Sequence, residues 1–161
     1  MNSNTSNNRL WVFGPLLLGL IVPSLIIFCL EVFVGHIRPL VSLTGIARRQ
    51  FSEGDNLFLL ALFGLIPFVV LSMICTRLSR SMPRPRLACL CIGGLIGILA
   101  LMIPGHISVW YSLYVHRHAS STSVIAFFFI PFYCIVTLAI GLFVGWGVSL
   151  FPIFRRENRS A

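Results

Sequence analysis

Four long stretches without one charged side chain constrain this chain more than any other feature. They run over residues 10–30, 57–76, 87–105 and 119–154. A helix needs about 20 apolar residues to cross a hydrocarbon core roughly 30 Å thick. All 12 basic residues are arginines, and every one lies between or beyond these stretches. That placement is what a bilayer demands, since an arginine at mid-helix costs about 2.5–3.5 kcal/mol on insertion scales. Composition agrees, with 57% hydrophobic and 10% charged residues, against about 25% charged in a soluble domain. The expectation is a single all-α domain, an integral membrane bundle of four transmembrane helices over approximately 10–34, 57–76, 87–105 and 123–151. The first stretch outruns the 7–15-residue apolar region of a signal peptide, and no small-x-small site follows it in 35–40, so it reads as a retained anchor. The polar residues 1–8 read as an unstructured tail.

Arginines also orient the bundle. Arg9, Arg77, Arg80, Arg84, Arg86, Arg155, Arg156 and Arg159 fall on one side of the four spans, and Arg38, Arg48, Arg49 and Arg117 on the other. The positive-inside rule then places both termini and the turn 76–86 in the cytoplasm. A net charge of +8 is read as topology and attraction to anionic headgroups. Nucleic-acid binding would need a soluble basic patch interleaved with aromatic residues, which is absent, so the expected partner is the lipid bilayer.

Between the first two spans, Pro39 suits a first helical position, and Leu40, Leu43, Ala47 and Phe51 recur at helical spacing. A short amphipathic helix over approximately 39–51, lying on the outer surface, is expected. Pro104 and Gly105 are expected to end the third helix. Trp110, Tyr111 and Tyr114 would then lie at headgroup level.

Candidate chemistry is sparse. Schiff-base and P-loop chemistry need a lysine, and the chain has none. No Gly-x-Ser-x-Gly or His-Glu-x-x-His motif occurs. Cys29, Cys75, Cys89, Cys91 and Cys134 include no Cys-x-x-Cys pair and read as small packing residues. The outer side holds a polar cluster of Glu31, His36, His106, His116 and His118, with Glu53 and Asp55 nearby. Imidazole and carboxylate are ligands for zinc, copper or iron, but polar residues also collect in loops because lipid excludes them. No catalytic residue, metal or cofactor is assigned.

Gly93/Gly97 and Gly141/Gly145 have the small-xxx-small spacing that lets helix backbones approach closely. Counted from the cytoplasmic ends at Leu87 and Phe151, the pairs match in depth, at about 9 and 15 Å. The third and fourth spans are therefore expected to touch there, antiparallel; self-association through one pair is the alternative.

The run Ser120–Tyr133, SSTSVIAFFFIPFY, resembles a stretch of small, uncharacterised bacterial polytopic membrane proteins. It covers 14 of 161 residues and implies no activity. The four-span plan is also similar to immunity proteins against pore-forming colicins, a likeness of architecture carried by no residue motif. The expected function is that of a small non-enzymatic protein of a cell membrane, with the bacterial cytoplasmic membrane favoured. It would pack against a membrane partner as an accessory, assembly or immunity-type protein. The alternatives are an outer-face metal- or haem-binding redox protein and a small channel or transporter subunit. The last is disfavoured because no span carries a mid-membrane charge.

Overall fold

The computed structural model describes residues 4–50, 62–116 and 121–150; for 4–12, 50, 112–114, 116, 121–124, 126 and 127 it describes the backbone alone. These residues are helical apart from short turns. The helices are α1 (Asn4–Phe33), α2 (Pro39–Gln50), α3 (Ile66–Leu78), α4 (Arg84–His116) and α5 (Ser121–Ser149).

Three of them contain segments long and apolar enough to cross a membrane: Phe13–Phe33 with 21 residues, Arg84–Tyr111 with 28 and Phe128–Ser149 with 22. Four such segments were expected. The second expected span appears as a shorter apolar helix, Leu62–Leu78, and its start at 57–61 lies outside the described residues. This helix is interrupted by a turn at Leu65. Pro67 explains the interruption, because it has no N–H to give to Phe63. The ladder resumes where Val69 N–H donates to the Leu65 carbonyl at 2.9 Å.

Two boundaries differ from the sequence reading. α1 begins at Asn4, so residues 4–8 join the helix rather than form an unstructured tail. α4 does not stop at Pro104–Gly105 but continues to His116. Pro104 is exposed on the outer surface, where its ring displaces no packing neighbour, and helices in lipid tolerate such a proline.

The order of the helices follows from their contacts. Phe68, with no exposed surface, lays its ring on the backbone of α1 at Gly19: a Cβ there would lie 2.7 Å from Phe68 Cδ2. Gly64 faces Pro23, and Leu16 lines a cavity with Thr76 and Arg77. These pairs run in opposite directions along the chain, so α1 and α3 are antiparallel. α4 and α5 are antiparallel too and share the most extensive interface. The core joins Phe68, Leu71 and Cys75 of α3 to Leu87, Cys91, Ile98 and Met102 of α4 and to Ile130, Cys134 and Leu138 of α5. Each set recurs every three, four or seven residues, the spacing of one helical face. Lipid tails are as apolar as these side chains, so van der Waals fit rather than exclusion of water holds the faces together.

Candidate functional site

Two places concentrate the residues singled out by the sequence. The first is the seam between α4 and α5. A Cβ on Gly93 would lie 2.5 Å from the Gly141 carbonyl oxygen and 2.9 Å from Gly145 Cα. At Gly97 it would strike the Thr137 carbonyl oxygen and come within 3.2 Å of Gly141 Cα. Gly141 is pressed against the Gly93 carbonyl, and Gly145 against Cys89 and Leu90. All four glycines therefore face backbone of the opposite helix. The register is offset by half a turn from simple opposition: Gly93 sits between Gly141 and Gly145, and Gly97 between Thr137 and Gly141. Thr137 is a neighbour that spacing between glycines could not reveal.

The second place is the far end of the bundle, where α1 turns into α2. The chain leaves α1 with Val34 and Gly35 N–H both donating to the Leu30 carbonyl, and Ile37 N–H to the Glu31 carbonyl at 3.0 Å. His36 makes the reversal with φ of 53°, a left-handed conformation that costs most L-residues roughly 1–2 kcal/mol. The Arg38 carbonyl then accepts from Val41 and Ser42 N–H, opening α2 at Pro39.

This turn brings Ser42 over Glu31, and Ser42 Oγ donates to Glu31 Oε2 at 2.5 Å. Both residues are buried, at 2% and 8% exposure. One helical turn away, Ile27 and Ile46 pack together with Phe28 and Trp110 against them. α2 therefore turns Ser42 and Ile46 inward. Of its expected apolar stripe, Leu40, Leu43 and Ala47 are exposed, the last two along a groove beside α1, and Phe51 lies outside the described residues. Trp110 likewise packs inward, whereas Tyr111 is 48% exposed and the Tyr114 side chain lies outside the described residues.

The histidines take separate environments. His36 is exposed on the turn, while His106 is buried in α4 at 2% exposure. His116 ends α4, where only backbone is described, and His118, Glu53 and Asp55 lie outside the described residues. Among the described residues, no three His, Cys, Asp or Glu side chains are grouped to hold a metal ion. The cysteines are free. Cys75 and Cys91 belong to one buried cluster, and Cys134 Sγ approaches the Ile98 carbonyl at 3.8 Å.

Chemically, Ser42–Glu31 has the form of a nucleophile beside a base, a pairing that no sequence motif revealed. Its burial gives it another role. With Ser42 2% exposed, its hydrogen bond to Glu31 fastens α2 to α1 in surroundings of low dielectric. Compared with protein-family models, with curated proteins and with solved structures, the chain matches none.

Proposed function

We propose that the chain is a small multi-pass protein of a cell membrane that acts by packing against another membrane protein, in an accessory, assembly or immunity-type role. Both termini and the arginine-bearing turn between α3 and α4 face the cytoplasm in this reading. The observation that carries it is the division of α5 into two faces. Gly141 and Gly145 are spent on α4 within the same chain, which argues against dimerisation through glycines. The opposite face presents Phe129, Phe132, Tyr133, Val136, Ile140 and Phe143, each more than half exposed. Four of these six side chains are aromatic, whereas the exposed residues of α1 and α4 are mostly aliphatic. It is this clustering of rings, not apolarity, that marks the face.

A photo-crosslinking phenylalanine analogue at Phe132 or Phe143, activated in native membranes, tests the reading. A discrete protein adduct obtained from these positions, but not from the exposed Leu17 of α1, supports it. Adducts with lipid alone refute a stable partner on this face.

A further inference from the structure

At the arginine-bearing end of the bundle, a cavity of about 700 Å³ opens between α1 and α3. Its walls carry a graded column. Along α3 the lining runs from Val69, Ser72 and Met73 through Thr76 to Arg77 and Arg80, with Leu16 of α1 opposite. The spacing from Val69 to Met73 to Arg77 is four residues each time, one stripe of α3 some 12 Å long at 1.5 Å per residue. Val69 and Met73 are 40% and 61% exposed, so the apolar part opens toward lipid rather than into the core.

Among the described residues, no acidic side chain lies near these charges. Glu31 is the only acid among the described residues, and it lies at the opposite end, hydrogen-bonded to Ser42. Thr76 gives its hydroxyl proton to the Ser72 carbonyl at 2.7 Å and Ser72 is itself buried at 4% exposure, so the two guanidinium groups are the charged donors of the lining. Arginines needed only for topology would serve equally well above a flat surface. Here they terminate a cavity whose remaining walls suit hydrocarbon.

We infer that this cavity is a binding site for one anionic phospholipid, with its phosphate held by Arg77 and Arg80 and an acyl chain lying along Val69 and Met73. Basic pockets between membrane helices bind such headgroups, and each basic residue near the surface contributes about fivefold. Two arginines therefore give phosphatidylglycerol roughly a 25-fold preference over phosphatidylcholine at this site. The inference rests on the chain lying in a bilayer, but not on any protein partner.

Native mass spectrometry of the full chain in mild detergent, with each lipid titrated separately, provides the test. One phosphatidylglycerol should be retained at concentrations where phosphatidylcholine is lost. R77Q/R80Q should abolish the preference, while R48Q/R49Q, which removes the same charge from α2, should keep it. If R77Q/R80Q does not fold, Met73→Trp fills the cavity with both arginines intact and should lower retention by tenfold or more. Equal retention of the two lipids overturns the site, as does equal loss in the two arginine variants. Full displacement by millimolar inorganic phosphate would reveal a free-phosphate site and overturn the lipid assignment.

Discussion

Alanine at Gly97 puts the α4–α5 seam to a quantitative test. The new Cβ would strike the Thr137 carbonyl and stand 3.0 Å from its carbon and 3.2 Å from Gly141 Cα. All three obstacles are backbone, so no rotamer change can relieve them. The helices must part by roughly 1 Å, a gap at which a pairwise contact loses about a quarter to a half of its attraction. Overpacking costs about 1–3 kcal/mol, and backbone on every side places Gly97 at the upper end. Better helix propensity returns about 1 kcal/mol, leaving a net loss of about 2 kcal/mol. Two other glycines calibrate the value. Gly94 would meet only side-chain ends, Leu71 Cδ1 at 2.8 Å and Leu138 Cδ1 at 3.0 Å, which can rotate away, so Gly94→Ala should cost less than half as much. Gly147 would meet nothing within 4 Å, so Gly147→Ala should be neutral or stabilising by up to about 1 kcal/mol. Reversible unfolding of the full chain in detergent mixed with increasing SDS, followed by circular dichroism, gives the three values. The order Gly97, Gly94, Gly147 is the expected result. A Gly97→Ala protein as stable as Gly147→Ala would refute the close approach of the backbones.

Ser42→Ala should destabilise the chain by about 2 kcal/mol, the value of a hydrogen bond to a charged group. In a double-mutant cycle with Glu31→Gln, independent losses would show that the pair is not coupled. His36→Gly should stabilise by roughly 0.5–1 kcal/mol by relieving the left-handed backbone, read in the same unfolding assay; a loss of stability would mean that the His36 ring holds the turn. Reporter fusions after Arg80 and after His36 should give opposite sidedness, with Arg80 cytoplasmic. Finding both on one side would remove the basis for the proposed topology.

Apolar helices were legible because lipid imposes a rule on charge that the arginines obey: they fall where the stretches end. The same rule hid the packing. In water the apolar residues of α2 would turn inward, but a bilayer is apolar outside as well, so Leu40 stays exposed while Ser42 turns in to Glu31. Pro104 misleads for a related reason. Proline ends helices where water competes for the freed carbonyl, and that competition is absent in hydrocarbon. The depth of the glycines could be counted from the helix ends, but not the half-turn offset that sets Gly97 against Thr137. The Ser42–Glu31 bond depends on one unusual dihedral at His36, which local pattern does not encode.

The seam between α4 and α5 also has a consequence for the order of assembly. Its two helices are separated by only four residues, 117–120, so closing them costs little chain entropy, and their interface is the largest among the described helices. Contacts near in sequence form before distant ones. The hairpin of α4 and α5 therefore closes early once synthesised. α1 is made before α4, yet part of its cover comes from α4, where Trp110 packs against the cluster of Ile27 and Ile46. That flank of α1 therefore stays uncovered until α4 has been made.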